Sequence, residues 1–534
     1  MPSDAHAPAA KPADIGPIPR DFIPGLKQNF KYDIVSGFIL FLIALPLSLG
    51  IAIASGAPPI AGVIAGFIGG ILGSLAGGSY VTINGAAAGL IAIVFGAVAA
   101  LGDGEPGSPE AIASGFRYAL AVGVVCGIIQ IGMGLAKLGK LTNMFPLNVV
   151  HGMLAGIGVI IMCKQIHTLL GVTFSGAMIP TILAIPSSFA NMVVPAATIG
   201  VLSLVMMIAW PMLPKAITKI VPAPMAIILV TVPMGIMFKL EPEFLVQVPL
   251  SFMESFQGPD WGKVGTGVFW KFVITYMFVA SLESLLTAAA MDKMDLWKRR
   301  SNMNRELISK GACNSLSSFI GGLPMIAEVV RSSANIMNGA RTRWSNFFHG
   351  LFLLLSVALI PGILNMIPLA ALAGMLVFIG FRLAHPKGFA HAAHIGKEEL
   401  MYMAVTTIIV VTVDLLWGVI IGFVVAVVTN IIRGSRSIKA DAEVATSGDT
   451  VTVKLKGAHG FLNFVSMRSI LDKLPGGKKL TIDYSGVKYM DHTVHERFHD
   501  FDGEYALTGG SVKTVGKDGL KATSHSDVSA LVRA

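Results

Sequence analysis

The sequence predicts an α-helical polytopic membrane protein, its spans arranged as two inverted repeats of about seven, followed by a small cytoplasmic α/β domain. Three observations carry that prediction. Hydrophobic residues make up 54% of the 534 and charged residues only 13%, and apolar runs of about 18 residues or more recur along the chain, a pattern that water-soluble domains do not sustain. The stretch NMFPLNVVHGMLAGIG from Asn143 matches NMIPLAALAGMLVFIG from Asn365 at nine of sixteen positions without a gap, so the second half repeats the first. After the last apolar run, near Ile432, the pattern changes to alternation of period two, as in VTVKLKG at 451–457 and KKLTIDYSG at 478–486, which is the signature of strands.

Residues 1–30 are rich in Pro and Ala, with no apolar run before Arg20. They are expected to be a cytoplasmic surface arm rather than a signal peptide. The transmembrane part is expected at 31–435, with repeats at about 31–240 and 262–435. Its first span runs from Ile34 to Ala54, interrupted by Pro46, and the second from Ile60 to about Ala76. Between Gly77 and Gly89 comes GGSYVTINGAAAG, too polar and too small to continue a lipid-facing helix. Further runs fall at about 81–101, 115–136, 145–170, 195–213 and 221–238, and a loop with Glu241, Glu243, Glu254 and Asp260 precedes a span at 265–290. ALPLSLGIA from Ala44 is similar to ASLESLLTA from Ala280, and LAGG at 75–78 to FIGG at 319–322, which extends the repeat.

Orientation follows from the basic residues. With the N-terminal arm inside, Lys137, Lys140, Lys215, Lys219, Lys293, Lys298 to Arg300, Arg305, Arg341, Arg343, Arg382, Lys387, Arg433 and Arg436 fall in alternate loops, as the positive-inside rule requires. The opposite loops differ: 102–114 carries Asp103, Glu105 and Glu110 without a basic residue, and 171–195 carries no charge. Both termini are then cytoplasmic, and an odd number of spans per repeat inverts the second repeat relative to the first. The net charge of +9 belongs to these loops, so nucleic acid is not an expected partner; the lipid bilayer is. Cys126, Cys163 and Cys313 show no CxxC spacing and are read as helix-packing residues.

The segment Gly321–Arg343, GGLPMIAEVVRSSANIMNGARTR, sets Glu328, Arg331, two serines and two asparagines between apolar runs. At membrane depth such a backbone persists only where it is buried in protein or lines a watery cavity. The expectation is a broken half-helix whose positive N-terminal end and Arg331 face an anion, against a polar surface loop as the plainer reading. Glu328, three residues before Arg331, shares its helix face and offers a structural ion pair instead. Glu283 is a second charge inside a span, with Thr287 four residues on and so on the same face. Carboxylate and hydroxyl there suit sodium, or the carboxylate alone a proton, and a salt bridge from Glu283 to Arg331 is the structural alternative. The α/β domain, placed at 446–534, carries His492, His495 and His499 near Asp491 and Glu496; a solvated helix face is expected there rather than a metal site, and likewise for His391 and His394.

The order of these segments resembles the SulP family of anion transporters from about Asp21 onward: the Pro-bearing first span, the broken segment after Gly78, ESLLTA at 283–288, RSSANIMNGARTR at 331–343, and a C-terminal region similar to a STAS domain, with TIDYSGVKYMDHT at its strand, loop and helix start. The resemblance implies fourteen spans in core and gate domains, with the third and tenth meeting head to head around the anion, and a homodimer. The anion contacts are then Arg331, Ser332 and Ser333 from one side and Thr82, Ile83, Asn84 and Gly85 from the other. ESLLT resembles the acidic residue plus SLLT that forms the sodium site of bicarbonate-transporting members, so Glu283 and Thr287 are the expected coupling-cation residues, for sodium or a proton; Glu328, which has no counterpart in that family pattern, is grouped with them as the neighbouring carboxylate. No cofactor is implied beyond a possible sodium ion, and no enzyme, since nucleophile, base and orienting group are not brought together. The expectation is a secondary active transporter in the plasma or inner membrane, for a small inorganic anion, with bicarbonate ahead of sulfate. An anion exchanger and a passive channel are the alternatives.

Overall fold

The computed structural model describes residues 17–140, 145–174, 178–218, 221–251, 256–433, 440–506 and 508–533. Most of the N-terminal arm therefore lies outside the described residues, as do Asn143, Lys219, Glu254 and Arg436. The chain forms two compact units: residues up to Gly139 with Ile161–Ile379, and Lys140–Ile160 with Gly380 onward.

Helix by helix, the expected order is present. The first repeat contains α1 (Phe22–Ala54), α2 (Pro59–Ala76), strand β1 (Asn84–Gly85), α3 (Ile91–Leu101), α4 (Pro109–Leu135), α5 (Leu147–Leu169), α6 (Val194–Ala209) and α7 (Ala223–Met237). The second contains α8 (Gly267–Met294), α9 (Met303–Phe319), strand β2 (Ile326–Ala327), α10 (Val329–Met337), α11 (Trp344–Leu359), α12 (Leu369–Leu383), α13 (Lys397–Thr412) and α14 (Leu415–Ile432). Local chemistry fixes the ends. Asp21, Ser108, Thr266 and Asn302 cap α1, α4, α8 and α9 by accepting first-turn N–H groups, and Pro59 opens α2 where a missing N–H costs nothing. The fourth span starts at Pro109, ahead of the expected 115, because the Ser108 cap and Pro109 start the helix before the apolar run does.

In the first unit α2 is packed from several sides. A Cβ on Gly62 would lie 1.9 Å from the Ser48 carbonyl of α1, and one on Gly70 2.4 Å from Gly350 Cα of α11. Small residues let these backbones touch, which is how helices associate in lipid. Helix α9 is far less apolar than its neighbours because its polar side chains point inward. Glu306 and Lys310, both essentially unexposed, form an ion pair at 2.7 Å. The other Glu306 oxygen accepts N–H groups of Gly78 (2.8 Å) and Ser79 (3.2 Å), so α9 holds the connector leading to β1. Asn314 donates to Gln130 of α4 at 2.8 Å, and Gln130 to Ser281 of α8 at 3.0 Å. Removing one partner of a buried pair costs about 3–5 kcal/mol. Lys310→Ala is therefore expected to lower the thermal unfolding temperature of the purified protein markedly, while Glu306→Gln combined with Lys310→Met restores much of it; equal stability of Lys310→Ala and the parent would contradict the pairing.

In the second unit Asn148 of α5 donates to Glu399 of α13 at 2.8 Å, and Gly418 of α14 packs directly on Val410 of α13. The α/β domain comprises β3 (Ala442–Ser447), β4 (Thr450–His459), α15 (Phe461–Leu471), β5 (Lys479–Met490), α16 (His492–Ala506), β6 (Ser511–Val515), β7 (Leu520–Ala522) and β8 (Leu531–Arg533). β4 pairs parallel with β5, and β5 with β6, while β3 pairs antiparallel with β4. Its first strand begins ahead of the expected 446, since β3 pairs along β4 from Ala442. The expected solvated histidine face is corrected for two of its members. His492 and His495 are buried, with Nδ1 at 2.7 and 2.8 Å from the Val528 and Ser529 carbonyls; His499, His391 and His394 are exposed. No group of metal-ligating side chains occurs among the described residues.

Burial pushes His495, and also His459 at the end of β4, down to about 4 from the usual 6.5. A depressed histidine contributes stability that is complete above 6.5 and is lost as pH falls toward 4. Asp491, raised to about 7 by burial against its bonds to the Val494 and Phe461 N–H groups, works in the opposite sense over 3.8 to 7. His459 is fully buried at the end of β4, so His459→Leu is expected to remove its acid sensitivity. Hydrogen exchange of β4 and β5 in the full chain between pH 6.5 and 4.5 checks this: protection should fall less in the variant than in the parent.

Candidate functional site

The two irregular stretches meet inside the first unit. β1 and β2 pair antiparallel, Asn84 opposite Ala327 and Gly85 opposite Ile326. From there the chain leaves one way through a 3-10 turn at Ala88–Leu90 into α3, and the other way from Glu328 into α10. Two residues per strand cannot satisfy this backbone at membrane depth, so side chains complete it. Ile83 N–H donates to Ser332 Oγ (2.9 Å), Asn84 N–H to Asn346 Oδ1 of α11 (3.1 Å), and Ala327 N–H to Ser284 Oγ of α8 (3.3 Å). Asn335 Nδ2 reaches the Val81 carbonyl at 2.9 Å, and Glu328 N–H the Ile83 carbonyl at 3.0 Å. The serines and asparagines that made Gly321–Arg343 conspicuous are thus largely backbone partners.

Arg331 sits 1% exposed at this crossover. Its Nε donates to Glu328 and its Nη2 to the Ala86 carbonyl. Its Nη1 is buried and has no hydrogen-bond partner among the described residues. A Cβ on Gly85 would stand 2.9 Å from that Nη1, so the glycine keeps the space in front of it open. Glu283 is 8% exposed, with Oε1 likewise unpartnered among the described residues. A Cβ on Gly89 would stand 2.3 and 2.4 Å from its two oxygens, so this carboxylate lies against the turn that opens α3, where the positive end of the helix favours it. Thr287 is buried one turn along α8. Glu283 pairs with no cation among the described residues, and Glu328 is the charge that acts on it. The expected alternative of a Glu283–Arg331 salt bridge is not what the structure shows; the Glu328–Arg331 pair is.

The other expected contact residues are placed as follows. Asn84 turns its amide to α2, donating to the Gly69 carbonyl at 3.3 Å, because β1 packs on the glycine face of α2. Ser332 Oγ is taken by Ile83 N–H. Ser333 Oγ donates back to the Val329 carbonyl at 2.8 Å and faces the sulfurs of Met291 and Met294. Thr82 and Ile83 are buried beside β1. The NGART segment braces the start of α1: Asp33 of α1 accepts from Arg341 N–H (2.8 Å), Thr342 N–H (3.1 Å) and the Thr342 hydroxyl (2.5 Å), while Arg343 makes two bonds to Asp21 at 2.7 Å. Sequence reasoning missed Gly89, Asn346 and His349. His349 is fully buried on α11 with neither ring nitrogen bonded among the described residues, and Arg331 is a charge acting on it. The missed Asn346 and His349 lie on the helix after the broken segment, a signal visible as polar residues inside the apolar run 344–359.

Inverted halves, two broken segments paired through β1 and β2, and a buried Arg331–Glu328 pair whose carboxylate also acts on Glu283 define a membrane transporter rather than an enzyme. The chain belongs to the sulfate permease family, whose model matches residues 30–406, and it is an anion transporter of that family. It is 26% identical over 488 residues to a putative sulfate transporter, YvdB, of Bacillus subtilis, covering 87% of each chain. It is 28% identical over 431 residues to the bicarbonate transporter BicA of Picosynechococcus, covering 79% of this chain and 74% of that one. Among solved structures it is similar to the transmembrane domain of a cyanobacterial bicarbonate transporter BicA (TM-score 0.63, 23% identity, 75% of this chain and 98% of that one). It is also similar to SLC26A9 (TM-score 0.68, 15% identity, 94% and 86%).

Proposed function

We propose that this chain is a secondary active transporter that carries a small inorganic anion, bicarbonate in the first place, together with sodium or a proton. It works in the plasma or inner membrane as a homodimer with both termini cytoplasmic. One observation carries the reading. Arg331 Nη1 and Glu283 Oε1 are both buried and unpartnered among the described residues, each beside a glycine, Gly85 and Gly89, on the same irregular strip. An oxyanion satisfies the first and a cation the second.

The charges support coupling. Arg331 with Glu328 and Glu283 sums formally to +1 − 2 = −1. An anion arriving alone would bring the buried cluster to −2, which membrane depth penalises; a cation at Glu283 and Thr287 restores the balance. Arg331 holds the anion through its free Nη1, in the space that Gly85 keeps open, and Glu328 keeps the guanidinium fork oriented and shares the cation's field. Sulfate is the second reading, favoured by the putative sulfate transporter among the relatives: the donors here read oxygens and not the central atom. Uptake of labelled bicarbonate and labelled sulfate into proteoliposomes, with and without an imposed sodium or proton gradient, tests the proposal. Accumulation against the anion gradient that follows one cation gradient is the expected result; equilibration alone with a reversal potential set only by the anion means a passive channel, and cation-independent anion-for-anion swapping means an exchanger.

A further inference from the structure

Lys164 is a cation that the site above leaves unused. It lies in α5, inside a span, and is half-buried. Arg331 has Glu328 and Lys310 has Glu306; among the described residues no carboxylate pairs with Lys164. Its ammonium instead stands 3.1 Å from the ring centroid of Phe95 in α3. That ring also packs close to the α1–α2 turn, where a Cβ on Gly56 would stand 3.6 Å from it. Phe95 is about 9 Å along the chain from Gly89 at about 1.5 Å per helical residue, so the ammonium marks the stretch between the crossover and the 102–114 end of α3.

We propose that Lys164 is a second contact for the transported anion, on the external side of the crossover, with Phe95 holding its ammonium when no anion is there. This rests on the transport reading and orientation given above. A charge kept inside a span without a counter-ion is costly, and residues of this kind mark the paths of permeating ions. A cation over a ring is worth about 0.5–2 kcal/mol, less than a charge-assisted bond to a desolvated oxyanion, so an arriving anion displaces the ring and leaving it reverses the step. The lysine therefore collects the anion without trapping it, where a carboxylate partner would have cancelled the charge.

Zero-trans uptake of labelled bicarbonate and of labelled sulfate into oriented proteoliposomes, measured from each face, tests this. Lys164→Gln is expected to raise the KM from the external face by about tenfold, roughly one lost charge contact, with kcat and the KM from the cytoplasmic face little changed. Lys164→Arg, which keeps the charge, should recover most of the loss. A KM unchanged at both faces, raised equally at both, raised only at the cytoplasmic face, or not recovered by Lys164→Arg overturns the proposal. If the parent transports neither anion, it is the reading of function that fails, and the comparison of variants is then made with chloride as the probe.

Discussion

Arg331→Ala is expected to abolish measurable anion uptake and to weaken anion binding by at least about 30-fold, about 2 kcal/mol or more, the cost of truncating one side of a buried charge contact. The guanidinium has three duties at once, to Glu328, to the Ala86 carbonyl and, through Nη1, to the open space at Gly85. Arg331→Lys keeps the charge but has no planar fork to serve them together, so partial binding with slow transport is expected. Loss of Arg331 also strands Glu328, and a folding defect is separable from a binding defect by adding Glu328→Gln. The double variant should unfold at a temperature near the parent's yet still bind no anion in a titration of the detergent-purified protein. Undiminished uptake by Arg331→Ala would sink the anion role.

Glu283→Gln is expected to uncouple the anion from its cation. The amide keeps the shape beside Gly89 and Thr287 but removes the charge that a cation would neutralise. Anion-for-anion exchange should persist while gradient-driven accumulation falls to background. Gly89→Ala reaches the same atoms from the other side: its methyl would stand 2.3 Å from one carboxylate oxygen, forcing the side chain to move, and the cation concentration for half-maximal uptake should rise about tenfold, roughly 1.4 kcal/mol of lost cation contact. Sodium is distinguished from a proton by Thr287→Ala, which should raise the sodium requirement and leave a proton-driven process unaffected. Continued uphill transport by Glu283→Gln equal to the parent's would place coupling elsewhere.

How much of this was legible in the sequence depends on the range of the interaction. Apolar length, turn residues and caps act over a few neighbouring residues, so the order of spans, the two broken segments, the basic loops and the strands β4 to β6 could be read directly. So could Arg331 and Glu283, because a charge inside an apolar run needs a reason wherever the run ends up. The partner of each polar group could not, because it lies far along the chain. Ser332 looked like a ligand donor until the fold laid Ile83 N–H against it; Asn84 looked like one until α2 offered it the Gly69 carbonyl. Lys164 carried no sign in the sequence of facing Phe95, and NGART none of meeting Asp33 and Asp21. The sequence by itself determined which segments cross, which break and where charge is buried; only the tertiary structure decided which of those polar groups are consumed in holding the backbone and which are left over, because each backbone donor at membrane depth must be satisfied first and the remainder is what can meet an ion.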